Sequence, residues 1–170
     1  MCALGFSSER RDRQVRAILA FVLLTPWAVG PSWAQDFSTR IPARTKGTAT
    51  YYVLGRIQGY GQAEFLVDTG SAYLSLNARI VRDLEKSSQA IFVKDIAGIL
   101  ADGSEVRVRI YRIPALTFGD KCTISDIEAA VLPGDTRNIL GLNALKQAAP
   151  FGLSLDPPQL LLSNCASSKA

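Results

Sequence analysis

From residue 47 to residue 162 the chain is cut at short intervals by turn chemistry, and this punctuation limits its fold more than any other feature. Gly59-Tyr60-Gly61, Ala101-Asp102-Gly103-Ser104, Gly119-Asp120-Lys121, Pro133-Gly134 and Asp156-Pro157-Pro158 each interrupt the sequence before a long helix can form. The segments between them are short and rich in β-branched and aromatic residues, so they read as strands. Residues 48–57 and 62–67 pair naturally as a hairpin about Gly59 to Gly61. A strand over 73–76 leads to Asn77, a good N-cap for a short helix in which Ile80, Val81 and Leu84 share one face. Residues 91–93 and 96–100 read as extended, and an Asp102-Gly103 turn leads into 105–110, where Val106, Val108 and Ile110 alternate with polar residues. Strands over 116–118 and 122–132 follow. Ile139-Leu140-Gly141 is a short buried strand, 142–148 one or two helical turns ended by Pro150, and 151–155 with 159–162 a closing hairpin. Eight or nine short strands with one or two short helices predict an all-β domain closed into a small barrel.

The residues before this region have another character. Arg10, Arg11, Arg13 and Arg16 precede an apolar run from Ala17 to Val29, and Ser32-Trp33-Ala34 places small residues where a signal peptidase inspects them. Pro26 and the shortness of the run argue against a membrane span. Residues 1–34 are therefore expected to be a signal peptide directing export to the periplasm or outside, the alternative being an uncleaved inner-membrane anchor. Membrane contact is expected only in that second case. Residues 35–46, polar and containing Pro42, read as an extended N-terminal arm or linker; 47–165 form the domain and 166–170 a tail.

Charge and cysteine content narrow the function. The net charge is +4, but without residues 1–34 the chain carries 15 basic and 13 acidic side chains. So nearly neutral a domain gives no electrostatic reason to expect nucleic acid as a partner. There is no histidine, which excludes Ser-His and Cys-His catalysis and leaves a zinc site without its usual partner for cysteine. No metal and no cofactor are expected. Cys122 and Cys165 remain after the leader and are a candidate disulfide in an oxidising compartment, unless they stay unlinked thiols.

One acid stands out. Asp68-Thr69-Gly70-Ser71 follows the apolar Phe65-Leu66-Val67 and precedes another strand, so the carboxylate lies in a tight loop between two buried segments. A carboxylate there is costly unless paired or hydrogen-bonded. Gly70 lets the backbone bend close behind it and offer N–H groups; Thr69 can bond across a two-fold axis and Ser71 can steady the carboxylate. Taken alone the triplet is equally compatible with an ordinary Asx turn. Other acids have plainer readings: Asp83 and Glu85 on a solvated helix, Asp126 and Glu128 on a polar strand face, Asp156 in a turn.

Some seventy residues downstream, Asn138-Ile139-Leu140-Gly141-Leu142-Asn143-Ala144-Leu145 supplies two bulky aliphatics and a glycine leading into a helix. With the strand-Asp68-Thr69-Gly70-Ser71-strand segment, and a hairpin at Asp102-Gly103 between the two, the chain resembles the retropepsins, single-domain aspartic proteases of retroviruses and their bacterial relatives. The resemblance implies an acid-protease barrel, with Asp68 catalytic, Thr69, Gly70 and Ser71 in its loop, Ala101, Asp102 and Gly103 in a flap, and Ile139, Leu140 and Gly141 in a supporting loop. Two departures stand beside it. The acidic residue after the triplet and the arginine after the later glycine, which pair in retroviral members, are replaced by Ala72-Tyr73-Leu74 and Leu142-Asn143. The flap tip is also poorer in glycine.

One domain carries one such aspartate, whereas this chemistry needs two sharing a proton. The resemblance thus implies an aspartic endopeptidase completed by homodimerisation, acting on a peptide or protein substrate. The alternatives are an inert retropepsin-fold peptide-binding or scaffolding protein of the periplasm, and an unrelated secreted β-barrel module. Apolar residues such as Tyr73, Leu100 and Ile139 lean towards hydrophobic side chains around the cut.

Overall fold

A computed structural model describes residues 37–165 except Thr48, Leu100, Ala101 and Lys121. Among the described residues ten strands and two short helices follow in the order β1 Thr39–Lys46, β2 Thr50–Ile57, β3 Gly61–Val67, β4 Leu74–Asn77, α1 Ala78–Lys86, β5 Ile91–Ile99, β6 Glu105–Phe118, β7 Cys122–Leu132, β8 Asn138–Leu140, α2 Leu142–Gln147, β9 Phe151–Leu155 and β10 Pro158–Leu162. The all-β expectation holds. The sheet runs β5-β6-β7-β4-β8-β3-β2-β1-β10-β9, and a further pairing of β6 with β2 closes six strands into a ring. This is not a clean barrel, because β5 on one side and β1-β10-β9 on the other extend beyond the ring.

Alternation explains the core. On β2, Val53 and Ile57 face inward while Leu54 and Arg56 face out. Phe65 and Phe118 meet edge to face inside the ring, with centroids 6.1 Å apart, beside the buried Leu74, Ile113, Leu116 and Ile127. Each such side chain contributes about 1.5–3 kcal/mol of burial. Helix α1 closes one opening with Ile80, Val81 and Leu84, and the Asn77 side chain caps it by accepting the Ile80 N–H at 3.0 Å.

Three segments differ from the sequence reading. The supposed arm or linker is extended, but from Thr39 to Lys46 it belongs to the sheet, pairing first with β10 and then with β2. Only Ile41 and Ala43 turn inward, so a strand with one wet face reads as polar linker. The two segments expected over 91–93 and from 96 join in one strand, Ile91–Ile99, with a register irregularity between Phe92 and Lys94. Strand β6 runs unbroken through Pro114, keeping its register with β7 from Ile113 opposite Ile127 to Ala115 opposite Ser125, with Pro114 and the left-handed residue Asp126 (φ 53°) between these pairs. Residues 1–34, Ala101, Leu100 and the tail lie outside the described residues.

Candidate active site

Strand β8 is only three residues long, yet it determines where Asp68 stands. It runs parallel to β3, with Leu66 opposite Ile139 and Val67 opposite Leu140, and antiparallel to β4 at Ser75. The two strands flanking the Asp68 loop are therefore fastened to one central strand. The Asp68 N–H extends this ladder by donating to the Leu140 carbonyl at 3.2 Å.

The loop closes on itself. The Gly70 N–H donates to Asp68 Oδ1 at 2.9 Å, and the Ser71 N–H donates to the Asp68 carbonyl at 3.3 Å. Locally this is an Asx turn, which is why the triplet alone could not tell chemistry from a turn. Ser71 does not steady the carboxylate as expected: its hydroxyl donates to the Tyr73 carbonyl at 3.0 Å, bracing the far end of the loop. Asp68 is half-buried, and Thr69 and Gly70 are exposed. The carboxylate is only half-buried in a single chain because the loop stands at the ends of the flanking strands. Thr69 is free to meet another surface.

Behind the loop the chain crosses itself at Gly141. A Cβ there would collide with the Tyr73 carbonyl and lie 2.9 Å from the Ser71 carbonyl oxygen, both backbone atoms. With no side chain in the way, the Leu142 N–H reaches the Ser71 carbonyl at 2.8 Å and the Asn143 N–H reaches that of Ala72 at 3.1 Å. Ile139, Leu140 and Gly141 thus lie directly behind the Asp68 loop.

Two asparagines do more than the sequence reading gave them. Asn143 accepts the Leu74 N–H at 2.6 Å and donates to the Glu128 carbonyl at 2.7 Å. Asn138, buried, accepts the Asn77 N–H at 3.0 Å and donates to the Glu64 carbonyl at 3.1 Å. Together they tie both ends of β4 to the frame. The signal was an amide at each end of an otherwise apolar segment, since a buried amide must find partners. Asn143 thus spends its side chain within its own chain.

Strands β5 and β6 form a hairpin, with Ile99 opposite Glu105. In its turn Asp102 Oδ1 accepts the Ser104 hydroxyl at 2.6 Å and N–H at 2.9 Å, which hold its carboxyl below the usual range, and Gly103 takes φ 83°. Ion pairs Lys94–Glu128 (3.3 Å) and Arg112–Asp126 (3.3 Å) flank the hairpin root. Tyr73 and Ile139 are half-buried. Away from the site, Cys122 and Cys165 are joined in a disulfide that fastens the chain after β10 to the start of β7. Among the described residues no group of three acids, cysteines or histidines is placed to hold a metal.

Comparison with known proteins agrees with this geometry. The crystal structure of a retropepsin-like aspartic protease from Rickettsia conorii superposes with a TM-score of 0.54 at 17% identity, covering 74% of this chain and 89% of that one, a likeness of fold. No curated protein matches the sequence. Residues 53–147, spanning the Asp68 loop, the hairpin and the Gly141 crossing, match the family described as "gag-polyprotein putative aspartyl protease". On a match over more than half its length, this chain belongs to the retropepsin-like aspartyl proteases.

Proposed function

We propose that the protein is an exported aspartic endopeptidase whose active site forms when two copies bring their Asp68 side chains together. The observation that carries this reading is that one Asp-Thr-Gly loop, held rigidly by β8 and Gly141, presents its carboxylate and Thr69 at the surface of the single chain. Two carboxylates about 3 Å apart cannot both ionise, so one keeps a proton. The ionised one removes a proton from a water as its oxygen attacks the scissile carbonyl carbon, while the protonated one donates to the carbonyl oxygen. Collapse of the tetrahedral intermediate passes a proton to the leaving nitrogen and breaks the C–N bond. The pair titrates as a unit. A two-fold axis through the site supplies the second loop and a second flap without a second gene. The leader-like residues 1–34 and the disulfide support export.

The test is cleavage of an unstructured protein at mildly acidic pH, with inhibition by a pepstatin-type transition-state analogue. Asp68→Asn is expected to abolish cleavage while leaving the folded state and the sedimentation coefficient of the dimer unchanged. An active Asn variant, or a wild-type protein monomeric at all concentrations, refutes the reading.

A further inference from the structure

The flap hairpin reaches further than the sheet that supports it. Pairing of β6 with β7 begins at Ile110 opposite Ala130, whereas β5 and β6 stay paired out to Ile99 and Glu105. Residues 96–99 and 105–108 therefore form a two-stranded ribbon with no third strand among the described residues. Two strands alone are marginal in water, so the ribbon's position must come from side chains on its inner face.

That face meets the body at a small apolar cluster of Val108, Ile110 and Ala130, separate from the main core, against which Ile96 and Val106 pack from the hairpin and Tyr73 from the catalytic loop. Tyr73 is a fixed point. Its carbonyl accepts the Ser71 hydroxyl at 3.0 Å and faces the Gly141 crossing, and the next N–H, of Leu74, is held by Asn143. The backbone is thus locked to the Asp68 loop while the ring lies against the flap's cluster.

We propose that Tyr73 is a positioning residue: its ring latches the flap ribbon to the catalytic loop, so that the flap rests at the height set by Asp68 rather than swinging free. The proposal rests on the peptidase reading for its kinetic part, but the contact itself does not. A flap detached from the loop would cover bound substrate less often, weakening ground-state and transition-state binding alike, and the loss would fall in KM.

The experiment compares wild-type, Tyr73→Ala, Tyr73→Phe and Val108→Ala proteins by hydrogen exchange and by steady-state cleavage. Tyr73→Ala is expected to speed exchange of amides in 96–99 and 105–108 about tenfold relative to β3 and β7, and to raise KM about tenfold, the factor matching the loss of one aromatic packing contact. Tyr73→Phe should restore both readouts. Val108→Ala should loosen the same amides, and the double variant should add little to either single change. Unchanged flap exchange in Tyr73→Ala, exchange raised equally in β3 and β7, or a Phe variant as loose as the Ala variant each overturns the latch. If Asp68→Asn still cleaves, the peptidase reading falls on its own, and the exchange data continue to decide the latch.

Discussion

Substituting alanine for Gly141 tests whether the chain crossing builds the site. Gly141 has φ −91° and ψ 179°, a conformation any residue adopts, so alanine meets no torsional penalty there. Its Cβ would instead strike the Tyr73 carbonyl and sit 2.9 Å from that of Ser71. Neither is the mobile end of a side chain; relief requires the two segments to part. Parting weakens the Leu142–Ser71 and Asn143–Ala72 backbone hydrogen bonds, at 2.8 and 3.1 Å, each about 1 kcal/mol net. The steric strain adds about 1–3 kcal/mol. The total, roughly 3–5 kcal/mol, is a large share of the 5–15 kcal/mol typical of a domain. Urea denaturation at fixed protein concentration reads this as a lower midpoint at unchanged slope. Gly103 is the control. It has φ 83° but nothing within 4 Å of a Cβ, so Gly103→Ala should cost only about 1–2 kcal/mol, all of it conformational. If Gly141→Ala proves no more costly than Gly103→Ala, the crossing is looser than described and the account of how Asp68 is held is wrong.

Asn143→Ala strands the Leu74 N–H and the Glu128 carbonyl, and should cost about 2–4 kcal/mol by urea denaturation; a loss under 1 kcal/mol would show that water replaces the amide freely. Replacing Cys122 and Cys165 together by serine opens a cross-link spanning 43 residues and should lower stability by about 4 kcal/mol, seen also as a matching midpoint shift when wild-type protein is reduced. Tyr111 is buried, its hydroxyl has no hydrogen-bond partner among the described residues, and burial followed by the neighbouring Glu85 carboxylate pushes its pKa up. A raised folded pKa means the folded chain holds the phenol proton longer than the unfolded one. This contribution is whole below about pH 10, the unfolded value, and is lost as pH rises through the folded pKa. Tyr111→Phe should flatten that alkaline fall; an unaltered alkaline limb would show another group responsible.

The parts of this fold that a linear reading reaches are those where local chemistry and tertiary role coincide. Asn77 caps α1 in the sequence and in space, and Asp102-Gly103 turns the β5–β6 hairpin because its own side chain and φ suit it. What escapes is set by partners far away in sequence. Residues 39–46 look like a linker because only Ile41 and Ala43 face the core, and nothing local announces that β10 will lie alongside about 120 residues on. Ser71 was expected at the carboxylate beside it, yet the Gly141 crossing places the Tyr73 carbonyl nearer its reach. The asparagines were visible as letters of a motif, but their roles required knowing which backbone groups the ring leaves unpaired.

Amides, rather than an ion pair, brace the Asp68 loop in this chain. Asn143 needs only backbone groups, and it finds them at Leu74 and Glu128. The loop is thereby held without a charge, and its rigidity no longer depends on an ionisable partner near the site. β8, Gly141 and the two asparagines shape the Asp68 loop within one chain, so the proposed association would have only to bring two finished loops together. A protein arranged this way should keep the same loop geometry as monomer and dimer, so dilution below the dimer's dissociation constant should remove cleavage without loosening the amides of 68–74. Loosening of those amides on dilution would show instead that the loop is shaped by its partner, and the division of labour argued from Asn143 would not stand.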